Sequence, residues 1–101
     1  LQEPLTILGR HLRLARQARA WTMAEAAERC MVSLPTYKRM EAGDARVAMG
    51  SWLIAWQHMD MVASVIAATA PEKDRIGQAL RELKEAKRVR KSLIKDDEFD
   101  F

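Results

Sequence analysis

Apolar residues along most of this chain recur at spacings of three and four rather than alternating, and that period predicts helices. Leu5, Leu8, Leu12 and Ala15 fall on one face of a first helix from about Leu5 to Arg19. Arg10, Arg13 and Arg16 follow a neighbouring strip, which is either a phosphate-tracking edge or a solvated face. Thr22-Met23-Ala24-Glu25 spells a capping box, in which the Thr hydroxyl accepts from the first turn and the Glu carboxylate reaches back. The second helix then spans Met23 to Cys30, with Ala26, Ala27 and Cys30 inward and small enough to admit a neighbouring helix. Ser33 is the next N-cap, and Pro35 sits in the first turn, where no N–H is needed. This third helix runs to about Ala42, and Gly43 suits the left-handed residue that closes a helix. Only about three residues, Met31 to Ser33, separate the second and third helices.

A loop leads to a fourth helix, Met49 to His58, on which Trp52 and Trp56 share a face beside Leu53. Asp60 is the candidate cap of a fifth helix, Met61 to about Thr69, and Pro71 interrupts. A sixth helix, Glu72 to about Lys87, carries Ile76, Leu80 and Leu83 on one face. Val89 to Ile94 fits helix, strand or coil. The expected fold is all-α, a compact bundle of five to six helices with a basic segment and an acidic tail. Residues 1–70 form the main domain, 71–95 a C-terminal helix and basic extension for dimer or partner contact, and 96–101 an acidic aromatic tail.

Charge adds a second pattern. The net charge is +3, but residues 84–95 carry +5 and residues 96–101 carry −4. Such asymmetry points to nucleic acid or a protein partner. The basic run from Lys84 to Lys95 fits DNA binding, a dimer interface, a partner contact or plain solvation. Glu98-Phe99-Asp100-Phe101 reads either as a docking peptide or as a solubilising tail.

Several function classes are poorly served by these residues. With 31% charged residues, no apolar run approaches the roughly 20 residues that span a bilayer. The start alternates apolar and basic residues and lacks a signal-peptide pattern, while Leu1 in place of Met points to trimming or a missing start. A cytoplasmic location follows as the expectation. Cys30 stands alone and reads as a buried, reduced thiol. His11 and His58 have no ligand cluster around them, and the four glycines are too scattered for a phosphate loop. No nucleophile–base pair stands out, so the expectation is a non-enzyme without metal or cofactor.

Two short helices joined by a three-residue turn make a helix-turn-helix arrangement. Leu8-Gly9-Arg10-His11-Leu12-Arg13-Leu14-Ala15-Arg16, Thr22 to Arg29, and Val32-Ser33-Leu34-Pro35-Thr36-Tyr37-Lys38-Arg39-Met40-Glu41-Ala42-Gly43 together resemble the Cro/repressor-like (XRE) family over about residues 8–58. Val47 to Asp60, Asp74-Arg75-Ile76-Gly77-Gln78-Ala79-Leu80 and Lys87-Arg88-Val89-Arg90 are similar to its HipB-like antitoxin branch.

The resemblance implies a homodimeric repressor bound to operator DNA, and a HipA-type kinase toxin as second partner. It makes the third helix the one that enters the major groove, with Ser33, Leu34, Thr36, Lys38 and Arg39 facing DNA. Thr22 and Met23 at the start of the second helix, and Arg46 in the loop after the third, complete the candidate DNA-binding set. It places Tyr37 and Met40 in the core and makes Arg16 and Glu41 a structural ion pair between the first and third helices. Trp52 and Trp56 are core or dimer contacts; Arg88, Arg90, Phe99 and Phe101 join them as candidate dimer or partner contacts. Three positions depart from the family pattern: Met23 replaces a phosphate-bracing Gln, Met31 a turn Gly, and Leu34 a polar reader. A helix-turn-helix turned protein-interaction module, or a repressor without a toxin, are the rival readings.

Overall fold

The computed structural model describes residues 2–99, with side chains described for 2–94. It contains six α-helices and no strand among these residues: α1 Gln2–Ala18, α2 Met23–Arg29, α3 Leu34–Ala42, α4 Met49–His58, α5 Val62–Ala68 and α6 Arg75–Phe99, with a 3₁₀ turn at Pro71–Lys73 before the last. By their contacts the residues fall into two units, Leu1–Ala63 and Ser64–Phe101.

The start signals act as their chemistry requires. Thr22 Oγ1 accepts from the Glu25 N–H at 3.0 Å, and the Glu25 carboxylate accepts from the Thr22 N–H at 3.2 Å. Ser33 Oγ accepts from the Thr36 N–H at 3.3 Å and opens α3, with Pro35 in its first turn. α1 begins three residues ahead of its apolar pattern because Pro4 costs nothing in a first turn and the Thr6 hydroxyl donates back to the Gln2 carbonyl at 2.9 Å.

The stops of the first four helices lie within a residue of their expected places, but the way they close was less visible. α1, α2, α3 and α4 all end in the same six-to-one closure, with Trp21 N–H to Arg16 O, Val32 N–H to Ala27 O, Asp44 N–H to Arg39 O and Met61 N–H to Trp56 O. Each closure needs one left-handed residue, and these are Ala20 (φ 56°), Met31 (φ 59°), Gly43 (φ 76°) and Asp60 (φ 56°). Only α3 uses glycine. Asp60 therefore closes α4 instead of capping α5, and α5 starts two residues later, at Val62. Left-handed backbone costs a side-chain-bearing residue about 1–2 kcal/mol, whereas glycine's extra unfolded-state freedom costs about 0.5–1. Met31 is 78% exposed and loses little packing if truncated. Met31→Gly is therefore expected to raise stability by about 0.5–1 kcal/mol. A urea midpoint at or below that of the parent would refute this.

The core of the first unit is Leu12 from α1, Ala26, Ala27 and Cys30 from α2 and its end, Tyr37 and Met40 from α3, and Trp52, Ala55 and Met59 from α4 and its end. The small residues of α2 let α3 approach, as their size predicts. At the other side of α3, glycine is required twice. A Cβ on Gly9 would run into the backbone carbonyl of Glu41, and one on Gly43 would lie 2.8 Å from the backbone of Leu5 and Thr6. α1 thus lies with its backbone against the C-terminal end of α3.

The second unit differs from the sequence expectation. α6 does not stop near Lys87 but continues through Val89–Ile94 to Phe99, so that ambiguous stretch is helix. Its start is fixed by Asp74, whose Oδ1 accepts from the Gly77 N–H at 2.9 Å. The expected apolar face of this helix is not buried: Ile76 is 76% exposed, Leu80 56% and Leu83 60%. No described residue from 60 to 94 is buried. No helix is long and apolar enough to cross a membrane among the residues described.

Candidate nucleic-acid interface

α3 has two chemically distinct sides. Tyr37 and Met40, three apart, are fully buried and hold the helix in the core. Burial pushes the Tyr37 phenol well above the ordinary tyrosine range. On the opposite side Ser33, Leu34, Lys38 and Arg39 are exposed and Thr36 is half-buried. Neither Lys38 nor Arg39 takes part in an ion pair among the described residues. The Ser33 hydroxyl donates to Thr36 Oγ1 at 3.0 Å while it caps the helix, so its side chain is already engaged.

The orientation of α3 is set from behind by Arg16 and Glu41. Arg16 Nε donates to Glu41 Oε2 at 2.6 Å and its terminal nitrogen to Oε1 at 3.3 Å. A third N–H donates to the Trp21 carbonyl at 3.0 Å, which ties in the turn before α2. The two side chains are 11% and 5% exposed. Hydrogen bonding to Glu41 raises the Arg16 pKa further above its ordinary value. This fork joins α1, the α1–α2 turn and α3 in one rigid arrangement.

Beside the exposed face of α3 lies a cleft of about 480 Å³ lined by Thr36, Arg39, Arg46, Val47, Ala48 and Ser51. Its floor is the start of α4. Ala48 is the N-cap and offers no side-chain acceptor, and around Gly50 there is open space. The first backbone N–H groups of α4 and the positive end of its dipole therefore lie beside two arginines. Arg46 is aimed by Asp44, which accepts from its Nε at 3.0 Å, its terminal nitrogen at 2.7 Å and its backbone N–H at 2.9 Å. Those bonds hold the Asp44 carboxyl at about 2, below its ordinary value. Arg46 itself stays 84% exposed. The arrangement suits a phosphate: fixed N–H donors, a helix terminus and guanidinium groups at one edge.

The remaining candidates are placed as follows. Thr22 is exposed at the start of α2, but Met23 is half-buried and packs against the core. Met31, at the tip of the turn between α2 and α3, projects outward. Trp52 is buried and Trp56 half-buried, with ring centroids 5.3 Å apart. Both line an apolar cleft with Leu5, Leu8, Val47 and Met49. Arg88 and Arg90 are exposed on α6, and Arg88 pairs with Glu85 at 3.3 Å. Phe99 and Phe101, proposed as contacts, have side chains outside the described residues.

Sequence reading placed the start of α4 at Met49 and named Arg46, but it missed the Asp44–Arg46 fork and the part that the uncapped start of α4 plays in the site. The signal available was a helix start at Ala48 with no Ser, Thr, Asp or Asn to cap it, two residues after an arginine. It missed Arg19 as well, which donates to the Met59 carbonyl at 3.0 Å and closes the end of α4.

The tri-helical arrangement, with α3 exposed beyond a tight turn from α2, defines a helix-turn-helix protein. Residues 7–57 match the model of the helix-turn-helix domain family, and the chain belongs to that family. Neither a curated protein nor a solved structure matches it.

Proposed function

We propose that this chain is a sequence-specific transcriptional repressor of the XRE type that binds double-stranded operator DNA as a homodimer. The observation that carries the reading is the juxtaposition of the exposed face of α3 with the arginine-lined start of α4. α3 enters the major groove, where Leu34 and Thr36 meet base edges and Lys38 and Arg39 contact backbone or guanine. Arg46 and the start of α4 grip a flanking phosphate and set how deeply α3 enters. Two copies are needed because half-sites on a two-fold operator lie about 34 Å apart. The protein acts in the cytoplasm, associated with the nucleoid through DNA, and requires no cofactor.

The finer role is that of an antitoxin of the HipB-like branch, which represses its own operon and holds a HipA-type kinase toxin. The supporting residues are Asp74 to Leu80 and Lys87 to Arg90, and the extension from 71 to 95 is the segment available for the toxin or a second copy. A kinase-like reading frame beside its gene, with a product that co-purifies, is the expected finding. A solitary gene with no co-purifying kinase returns the role to a stand-alone repressor.

The test of DNA binding is titration against the protein's own promoter and against random DNA at two salt concentrations. Promoter preference with a steep salt dependence is expected. Lys38→Glu with Arg39→Glu should weaken binding to both DNAs and reduce the slope of log affinity against log salt by about 2. Equal, weak, salt-insensitive binding with no effect of the charge reversal would overturn the reading. It would favour a protein-interaction module instead, for which exposed Met31 and Leu34 at the tip of the motif are the supporting feature.

A further inference from the structure

We propose that α6 pairs with α6 of a second copy of this chain, antiparallel, in one register. The inference concerns the free protein and does not rest on DNA binding. α6 is 25 residues long, and the packing its own unit gives it is mainly against the 3₁₀ turn at Pro71–Lys73. A helix of that length draws most of its stability from packing along one face, because propensity alone leaves it marginal. Here that face is uncovered. Ile76, Leu83 and Leu93 are each 60% exposed or more, and Leu80 and Ile94 beside them more than half.

The spacing of this stripe identifies its partner. Ile76, Ala79, Leu83, Ala86, Arg90 and Leu93 alternate at intervals of three and four, which is the seam of a two-helix coil. A membrane surface would demand an unbroken apolar side, and Arg90 breaks it. A parallel copy would set Arg90 on Arg90 and the +5 segment 84–95 against itself. Antiparallel pairing removes both conflicts, because 84–95 then faces the second copy's 74–85, whose net charge is zero.

The register follows from size and charge together. Ile76 packs on Leu93 of the second copy, and Leu83 on its Ala86, so each bulky residue meets space or an apolar end. Arg90 then crosses the second copy's Ala79, where a methyl group leaves room for the guanidinium stem. Its charge arrives one turn from the second copy's Glu82. The two-fold axis passes between Lys84 and Glu85, so every such contact is made twice.

The test uses the full chain without DNA, with mass read by sedimentation equilibrium. A dimer is expected. Glu82→Arg and Arg90→Glu each set like charges together twice per dimer, and each should raise the dissociation constant by about tenfold or more. The double variant E82R/R90E should restore the parent value. These sites are exposed and far in sequence from the three tryptophans, so tryptophan emission should stay unchanged, and any loss of helical circular dichroism should track dissociation. Nitroxide pairs give a second readout, since Cys30 is buried and will not compete for label. Label on Lys84→Cys should show a short distance between copies, and label on Gln78→Cys a clearly longer one, since thirteen residues of rise, about 20 Å, then separate the two sites along the helix axis. A monomer at all concentrations, which includes α6 folding back on its own chain, would overturn the proposal. So would a double variant no tighter than the singles, or equal label distances at the two sites, as a parallel pair gives.

Discussion

Replacing Gly9 by Ala is expected to cost about 3 kcal/mol or more and to abolish the exposed presentation of α3. Helix propensity alone predicts the opposite, a gain of about 1 kcal/mol at an interior helical position. Packing wins because of what the new methyl group would meet. The nearest atoms are the Glu41 carbonyl and the Met40 carbonyl oxygen, the latter at 2.9 Å, all of them backbone. A flexible side chain could swing aside; the last turn of α3 cannot without opening its own hydrogen bonds. α1 would have to lift from α3, and the Arg16–Glu41 fork and the approach of Leu5 to Gly43 lift with it. Urea unfolding followed by tryptophan emission, to which buried Trp52 contributes, checks this. Gly50→Ala is the control, since nothing lies within 4 Å of a Cβ there. A G9A midpoint as high as that of the control would sink the argument.

Glu41→Gln is expected to cost about 3 kcal/mol, because it strands a largely buried guanidinium opposite a neutral amide. Arg16 would keep its bond to the Trp21 carbonyl but lose the charge that offsets its desolvation. Replacing both partners should behave differently. In R16M/E41L no charge remains to be desolvated, and stability should return to within about 1 kcal/mol of the parent if the apolar side chains fill the space. The double variant should nonetheless bind operator less selectively, since the fork fixes the angle at which α3 leaves the core. Chemical denaturation and promoter titration measured on all three variants separate the two effects. If the double variant is as unstable as Glu41→Gln, the pair contributes net stability and not mainly alignment.

Both effects depend on contacts between residues about thirty apart in the chain, and this separates what was legible from what was not. The beginnings of α2 and α3 could be read directly. A cap acts within four residues, and Thr22 with Glu25, and Ser33 ahead of Pro35, carry the donors and acceptors in their own segment. The inward set Ala26, Ala27, Cys30, Tyr37 and Met40 could be read for the same reason, since period and size are local properties. The ends of α1, α2 and α4 fall within a residue of the expected Arg19, Cys30 and His58, but the way α1 and α4 close could not be read, because Ala20 and Asp60 stand where glycine would have signalled left-handed backbone; at Met31 the family resemblance, not local pattern, marked the position. Packing of the following segment imposes that conformation there. Glycine appears only at position 43, where the backbone of α1 leaves no room for a Cβ.

The sequence alone determined the all-helical class, the helix-turn-helix spacing and the two sides of α3. Each follows from hydrogen bonds and side-chain period within a few residues. Only the tertiary structure decided that Gly9 is a contact point, that Arg39 and Arg46 meet at an uncapped α4, and that the stripe on α6 stays uncovered within its unit. Those are statements about which surfaces approach and which do not. They depend on the close packing of segments far apart in the chain, and no local pattern of residues encodes them.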